Sequence, residues 1–352
     1  MKDYIFVLGR DPEISLEEIK RYLESRRYDF KIKEYNKKIA LVSVDHLKNK
    51  IIGDLGGTLK IAEVFNIKDL DINQDEIKYG FSVYGSKGIT KIKNELKNYF
   101  KKQKTKVIIK NPKMGETFSP SEFKGNFIEF VVYNNYLAKT ILVSNPKDYG
   151  NRDDKKPYFD RLKVTSIRLT KILINLSGVK ENETLLDPFC GTGTILQEAL
   201  LMGINGYGIE KDHRTFEGCK TNLNWFKKAF NVKNNFEVFH GDAREATKFI
   251  DKVDVVVTEP FLGPFFKQYP SETQAMKIKN ELTRLYFDTL RELKGMTKKR
   301  IIFISPIIPF KKGHAKPDME SILSKLRIKV EKKFLYQVQG NIIDREIYVL
   351  TP

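Results

Sequence analysis

The sequence predicts an α/β protein whose C-terminal part forms a mostly parallel sheet of seven strands with a terminal antiparallel hairpin. From Leu185 onward, short apolar strands alternate with helical patterns, and such alternation favours a parallel sheet with helices on both faces. The turn Gln339-Gly340-Asn341 separates the last two strands and predicts the hairpin. Strands and helices also alternate within the first 70 residues, so we expect a smaller α+β part ahead of the sheet.

Composition and charge restrict the classes of function. The chain has 352 residues and a net charge of +18, which indicates an anionic partner such as nucleic acid. A lysine-rich surface that only serves solubility is the alternative. Cys190 and Cys219 are the two cysteines, too few for a disulfide framework and consistent with a reducing cytoplasm. The N-terminus lacks a signal-peptide pattern, and no apolar run approaches the ~20 residues of a membrane helix. We expect a cytoplasmic protein that acts as a monomer.

The first elements follow from apolar spacing. Strands are predicted at 4–9, 39–44 and 60–65, with helices at 14–25 and 46–54 between them. Ser15, just ahead of Glu17 and Glu18, is the predicted N-cap of the first helix. Gly56-Gly57 ends the second helix.

A basic run follows a strand at 77–84. Ser86 is predicted to cap a helix with Ile89, Ile92, Leu96 and Phe100 on one face. From Lys87 to Lys113 there are ten lysines and one acid, Glu95, for a local charge of +9. A solvated helix face is the ordinary explanation for a charge run. Because unpaired like charges at helical spacing oppose folding, contact with a phosphate backbone is favoured. Further strands are predicted at 105–110, 127–133 and 137–143.

Acidic or glycine-rich residues follow four successive strands of the C-terminal sheet. The first strand ends in the glycine loop Asp187-Pro188-Phe189-Cys190-Gly191-Thr192-Gly193-Thr194, and the next three end at Glu210, at Asp242 and at Glu259. In an open α/β sheet these strand ends share one crevice, where ligands bind. Asp212, just after Glu210, is a near alternative to it. Single acids are usually helix N-caps, which is the alternative role for Asp242 and for Asp212. Four such positions in register favour an adenosine-bearing cofactor.

Two cofactors compete for this crevice. A dinucleotide such as NAD prefers a loop with a third glycine, so that a helix start takes its pyrophosphate, and here Ile195, Leu196 and Gln197 follow Thr194 instead. Asp187 and Glu198 would place negative charge near those phosphates. S-adenosylmethionine, which has no phosphate and carries a positive sulfonium, fits better. Glu210 is then placed for the ribose hydroxyls and Asp242 for the adenine amine. The candidate cofactor residues are Asp187, Phe189, Gly191, Gly193, Thr194, Glu210, Asp242 and Ala243.

The glycine loop, with Ile195 to Ala199 after it, resembles motif I of the THUMP-domain tRNA guanine-N2-methyltransferases, in particular the archaeal and eukaryotic tRNA guanosine-10 group. Similar segments lie across the chain, at 4–16, 56–61, 172–176 and 222–225. The resemblance implies a ferredoxin-like domain at 1–70, an RNA-binding THUMP domain at 71–145, a linker at 146–160 and a Rossmann-like class I methyltransferase domain at 161–352. The basic run would then lie in the THUMP domain. Whether a small activating protein takes part is unknown.

The fourth strand end departs from the pattern of amino-methyltransferases, which usually carry Asp/Asn/Ser-Pro-Pro-aromatic. This chain has Glu259-Pro260-Phe261-Leu262. We expect Glu259, with the carbonyl of Pro260, to accept hydrogen bonds from the target amine, and Phe261 to stack on the base. The alternative is a plain strand end with Phe261 packed in the core.

The sequence therefore predicts a tRNA methyltransferase that acts on the N2 amine of a guanosine, by resemblance at position 10, with tRNA and S-adenosylmethionine as its partners. The base must be flipped or already unpaired. Two alternatives stay open: a tRNA-binding protein that has lost turnover, and a DNA amino-methyltransferase. His240 and His314 have no ligand spacing, so we expect no metal site.

Overall fold

A computed structural model describes residues 1–72, 75–85, 89–160, 165–337 and 342–352. The chain divides into two compact units, Met1–Asn151 and Arg152–Pro352. The predicted helix cap Ser86, the first lysine of the basic run, Lys87, and the predicted turn 339–341 lie outside the described residues. No helix in the described ranges combines the length and hydrophobicity needed to cross a membrane.

The first unit is built on one sheet of eight strands in the order β2-β3-β1-β4-β8-β7-β5-β6. β5 pairs in parallel with β6 and β7, whereas the other pairings are antiparallel. The strands are β1 (Lys2–Leu8), β2 (Phe30–Tyr35), β3 (Ile39–Val44), β4 (Thr58–Val64), β5 (Glu76–Val83), β6 (Lys106–Lys110), β7 (Phe127–Tyr133) and β8 (Tyr136–Val143). The helices are α1 (Pro12–Ser25), α2 (Ile51–Asp54), α3 (Ile89–Lys102) and α4 (Pro146–Asp154), the last of which runs across the unit boundary.

The glycine pair and the lysine of segment 56–61 have clear structural roles in this unit. Both oxygens of the Glu18 carboxylate accept backbone N–H groups, at 2.7 Å from Gly56 and 2.8 Å from Gly57. A Cβ atom on Gly57 would lie 2.4 Å from Ser15 Oγ, so only glycine fits there. Lys60 is buried, and its ammonium group pairs with the buried carboxylate of Glu129. This segment is therefore explained by packing within the unit.

The second unit contains the predicted parallel sheet. Its main path has seven strands in the order β11-β10-β9-β12-β13-β16-β15. The strands are β9 (Thr184–Asp187), β10 (Asn205–Glu210), β11 (Phe236–His240), β12 (Val253–Thr258), β13 (Thr297–Phe310), β15 (Lys329–Tyr336) and β16 (Asp344–Thr351), and the short β14 (Gly313–Ala315) pairs with the end of β13. The helices are α5 (Ile167–Leu176), α6 (Thr194–Leu201), α7 (His213–Ala229), α8 (Glu272–Met296) and α9 (Met319–Leu326).

Strand directions in this sheet confirm the predicted fold class. β11, β10, β9, β12 and β13 pair in parallel, and β16 is antiparallel to both β13 and β15. β12 has the burial pattern of a central strand, with Val255, Val256 and Val257 fully buried. The strand order changes direction between β9 and β12, which is where an open α/β sheet forms its ligand crevice.

Several local predictions differ from the structure. The N-cap of α1 is Asp11, not Ser15, whose hydroxyl lies inside the helix and donates to the Asp11 carbonyl at 2.8 Å. β2 was not predicted, although Phe30 and Ile32 alternate with lysines in the pattern of an edge strand. The helix predicted at 46–54 shortens to the four residues of α2. Within the predicted linker 146–160, α4 begins at Pro146, because proline is well suited to the first position of a helix.

Candidate active site

The glycine loop after β9 is shaped by short-range contacts. The Phe189 N–H donates to Asp187 Oδ1 at 3.1 Å, which turns the chain directly after the strand. Gly191 and Gly193 adopt φ values of 52° and 89°, a region that glycine enters without strain. A Cβ atom on Gly193 would lie 2.9 Å from Cys219 Sγ. The loop therefore leads into α6, which begins at Thr194, and it has no room for a side chain at Gly193.

Asp187 lies under this loop and is 1% exposed. Its Oδ1 atom also accepts a hydrogen bond of 2.8 Å from Thr258 Oγ1 at the end of β12. Burial, with smaller contributions from the charges of Glu210 and Glu259, raises the pKa of the Asp187 carboxyl to about 7, against the hydrogen bonds from Thr258 and Phe189 that lower it. A buried carboxyl of this kind favours a cationic neighbour, since such a neighbour stabilises the charged form.

Glu210 ends β10 and lies directly over the glycine loop. Its two carboxylate oxygens accept from the Gly191 N–H at 3.1 Å and from the Asp212 N–H at 2.9 Å. Asp212 caps α7 by accepting from the Thr215 N–H at 2.9 Å. It therefore has the N-cap role that was its alternative in the sequence. Glu210 therefore stays the candidate for the ribose hydroxyls.

Asp242 lies two residues after β11 and caps the 3-10 helix Ala243–Lys248. Its carboxylate accepts three hydrogen bonds from Arg244 and one of 2.9 Å from Lys211 Nζ. The hydrogen bonds from Arg244 hold the pKa of this carboxyl well below its usual range. Because four bonds use the acceptor capacity of a carboxylate, an adenine amine would have to displace Lys211 or Arg244. The cofactor role of Asp242 and of its buried neighbour Ala243 stays a prediction.

Thr194 is the first residue of α6 and is buried. The buried Lys156 donates to its hydroxyl at 3.1 Å. In the following turn, the buried Glu198 accepts from the guanidinium of Arg152 at 3.0 Å. The negative charge of Glu198, which would disfavour a phosphate in the crevice, is therefore neutralised by the Arg152 guanidinium of the same unit.

Glu259 directly follows β12 and is held on both sides. Its Oε1 atom accepts from Arg345 Nε at 2.6 Å, and its Oε2 atom accepts from Thr165 Oγ1 at 2.7 Å. The Glu259 side chain is 11% exposed. Because Glu259 directly follows Thr258, whose hydroxyl binds Asp187, both carboxylates lie where the parallel strands β9 and β12 end. No pattern in the sequence indicates Arg345 or Thr165 as partners of Glu259.

Phe261 extends outward from the loop after β12. Its side chain is 56% exposed, while its carbonyl accepts from the hydroxyl of the fully buried Tyr286 at 2.8 Å. Pro260, between Glu259 and Phe261, is buried. The alternative in which Phe261 packs in the core is therefore wrong, and two further aromatic side chains on this loop, Phe265 and Tyr269, are also exposed.

The site has the features that a cofactor with cationic groups and no phosphate requires. The hydroxyl of Thr192, in the glycine loop, is buried and has no hydrogen-bond partner among the described residues. Asp187 and Glu210 present carboxylates around the same loop. Asp187 and Thr192 could hold the amino-acid end of S-adenosylmethionine here, and Glu210 could hold its ribose.

Known families and proteins match this chain as follows. The family model described as RMKL-like, methyltransferase domain, matches residues 164–341. A second model, described as DNA methylase, matches residues 81–221 and ends before Asp242 and Glu259. The tRNA (guanine(10)-N2)-dimethyltransferase of Methanothermobacter thermautotrophicus is 38% identical over 128 residues, which are 36% of each chain. The aligned part thus spans about a third of that relative.

Two solved structures share the fold. TrmN from Thermus thermophilus superimposes with a TM-score of 0.53 at 13% identity, covering 99% of each chain. SMU.472 complexed with SAH superimposes with a TM-score of 0.50 at 12% identity, covering 100% of this chain and 98% of the other. At these identities the likeness concerns the fold alone.

Proposed function

The chain belongs to the family of RMKL-like methyltransferase domains, and we propose that it methylates the exocyclic N2 amine of a guanosine in tRNA. The guanosine is at position 10, by likeness to the named relative. The observation that carries the proposal is that Glu259 directly follows Thr258, whose hydroxyl donates to Asp187 at 2.8 Å where the paired strands β9 and β12 end. The amine acceptor and the cofactor loop then border one crevice, as methyl transfer requires.

S-adenosylmethionine is the proposed cofactor and supplies, when bound, an electrophilic methyl group on a cationic sulfonium. Asp187 and Glu210 bind its cationic and hydroxyl groups, and the glycine loop lets the backbone approach it closely. SMU.472, which has the same fold, is described as complexed with SAH. Phe189 and Thr194 complete the proposed loop contacts, and Asp242 and Ala243 border the adenine.

Glu259 prepares the amine for attack. The lone pair of the guanine amine is delocalised into the ring. Hydrogen bonds donated by the amine N–H groups to the Glu259 carboxylate and to the Pro260 carbonyl localise this lone pair on the nitrogen. Such positioning and electrostatic support supplies on the order of several kcal/mol. Phe261, exposed beside Glu259, stacks on the unpaired base.

The lysines of the basic run are proposed to bind the tRNA backbone. Lys93, Lys97 and Lys101 of α3 line a groove of about 1040 Å³ whose wall includes Tyr79 and Phe81. These three lysines are exposed and form no ion pair in the part of the chain that the structure describes. Phosphates would supply the missing charge. The prediction that this unit divides into ferredoxin-like and THUMP domains stays a proposal, as do cytoplasmic location and action as a monomer.

Methyl transfer onto a defined transcript tests this function. Purified protein is incubated with radiolabelled S-adenosylmethionine and a tRNA transcript carrying either guanosine or inosine at position 10. Inosine lacks only the 2-amino group, so incorporation should occur with guanosine and vanish with inosine. Equal incorporation into both transcripts would exclude the N2 amine at this position.

The match to a DNA methylase model over residues 81–221 supports one alternative substrate, the amino groups of DNA bases. Duplex DNA is therefore included in the same assay at the same salt concentration, because ionic strength dominates both affinities. Transfer to DNA and not to tRNA would favour that alternative.

A further inference from the structure

We propose that Arg345 is a positioning residue, which together with Thr165 fixes the carboxylate of Glu259 for the target amine. This inference rests on the proposed function. It concerns the departure of Glu259-Pro260-Phe261 from the usual amino-methyltransferase pattern, since a glutamate is one methylene longer than the aspartate common there. The structure shows what holds the longer side chain.

The two contacts approach Glu259 from different elements. Arg345 lies in β16, where its Cα pairs with Pro306 of β13 and with Tyr336 of β15. Thr165 lies just before α5. Because Arg345 Nε binds one carboxylate oxygen at 2.6 Å and Thr165 Oγ1 binds the other at 2.7 Å, rotation of the Glu259 carboxylate breaks at least one bond. The contacts therefore define its orientation as well as its place.

Stability alone does not explain this pair. The side chains of Arg345 and Glu259 are 16% and 11% exposed, and burying two charges costs desolvation energy that their attraction often fails to repay. Arg345 Nη1 is buried and has no hydrogen-bond partner among the described residues, which adds to that cost. A guanidinium placed at such cost beside the amine acceptor is better explained by orientation of Glu259.

The orientation matters because of how the amine must be presented. One carboxylate oxygen has to accept an amine N–H along a direction that leaves the nitrogen lone pair facing the methyl group. An error of about 1 Å in such an arrangement can cost about 100-fold in rate. Arg345 touches Glu259 rather than the base in this account, so its effect passes through Glu259.

Steady-state kinetics with tRNA on the full chain test the proposal. We expect Arg345→Met, which keeps side-chain bulk without charge, to lower kcat about 100-fold with the KM for S-adenosylmethionine unchanged within twofold. Arg345→Lys keeps the positive charge but not the planar, forked N–H donors of a guanidinium, so it should recover part of the lost kcat. Glu259→Asp should also lower kcat, although it restores the usual acid, because the shorter side chain cannot reach both partners.

Lys316→Met is the matched control. Lys316 pairs at 2.9 Å with Glu346, the neighbour of Arg345 in β16, so this variant removes an ion pair from the same strand without touching Glu259. It should keep wild-type kcat. The inference would be overturned if the wild type is active and Arg345→Met has the same kcat. A Glu259→Asp variant faster than wild type would also overturn it.

A second readout separates this inference from the proposed function. Crystal structures of wild type and Arg345→Met are compared, and we expect the Glu259 carboxylate to leave Thr165 in the variant. An unmoved carboxylate would refute the positioning role even if the wild type transfers no methyl group. Wild-type protein without transfer to any tRNA, combined with a moved carboxylate, would reject the proposed function and keep the positioning role.

Discussion

Asp187 should make the cofactor-free protein less stable as the pH rises, and Asp187→Asn should remove this effect. Its carboxyl is 1% exposed, and burial raises its pKa from 3.8 to about 7. Between these values the folded protein keeps a proton on Asp187 that the unfolded chain has lost. The free energy of unfolding therefore falls with rising pH across this window, and outside it Asp187 adds no slope.

The magnitude follows from the width of the window. Each tenfold difference in proton affinity corresponds to about 1.4 kcal/mol, so the shift from 3.8 to about 7 amounts to about 4 kcal/mol. Between pH 5 and pH 8 the expected loss is about 2–3 kcal/mol. Asparagine has nearly the same shape and can still accept from Thr258 and Phe189, so the variant should fold.

Urea unfolding at pH 5 and pH 8 measures this difference. Trp225 is the one tryptophan in the chain and lies in α7, so its fluorescence reports on the second unit. Wild type should lose about 2–3 kcal/mol more than Asp187→Asn between the two pH values, whereas Asp251→Asn, at an exposed site, should behave as wild type. Parallel pH dependence in wild type and Asp187→Asn would refute the reasoning.

Cofactor binding should show the opposite preference. A cationic ligand favours ionised Asp187, so the affinity of wild type for S-adenosylmethionine should increase as the pH rises to about 7. Asp187→Asn should bind more weakly and without this pH dependence. Isothermal titration calorimetry across this range measures both, and a variant that binds as tightly as wild type above pH 7 would contradict the role of Asp187 in the site.

Three further predictions concern the acceptor, the base and the RNA. Glu259→Ala should lower kcat for tRNA methylation at least 100-fold while calorimetry still detects S-adenosylmethionine binding; near-normal turnover would remove Glu259 from the mechanism. Phe261→Ala should raise the KM for tRNA about 5- to 150-fold, the equivalent of losing about 1–3 kcal/mol of stacking, whereas Phe230→Ala, at a partly exposed site after α7, should not. Replacing Lys93, Lys97 and Lys101 with glutamate should weaken tRNA binding and reduce the slope of log affinity against log salt by about 2–3. Lys2→Glu is the control, because this exposed lysine of the first unit lies outside the basic run and pairs with Glu63. An unchanged slope in the triple variant would place the RNA elsewhere.

The sequence predicts the second unit well because its signals are local and repeated. Asp187, Glu210 and Glu259 each follow an apolar strand, and the parallel pairing of those strands brings them to one edge. Phe261 was predicted to stack on the target base, which requires an accessible side chain, and it is 56% exposed; the stacking itself stays a prediction.

The contacts that complete the site could not be predicted, because they join residues distant in sequence. Arg345 reaches Glu259 across 86 positions and Thr165 across 94, and no spacing rule connects them. At Asp242, the bond from Lys211 likewise spans 31 positions, whereas the other three bonds come from the backbone and guanidinium N–H groups of its near neighbour Arg244. In the first unit, Ser15 fits the N-cap rule, yet Pro12 starts the helix three residues earlier.

Nucleoside analysis of tRNA tests the central claim most directly. Unmodified tRNA is incubated with S-adenosylmethionine and either wild type or Glu259→Ala, then digested to nucleosides and analysed by mass spectrometry. The account predicts N2-methylated guanosine with wild type and its absence with the variant. Methylation on another base or another atom, or none with folded wild type that binds both tRNA and S-adenosylmethionine, would contradict it.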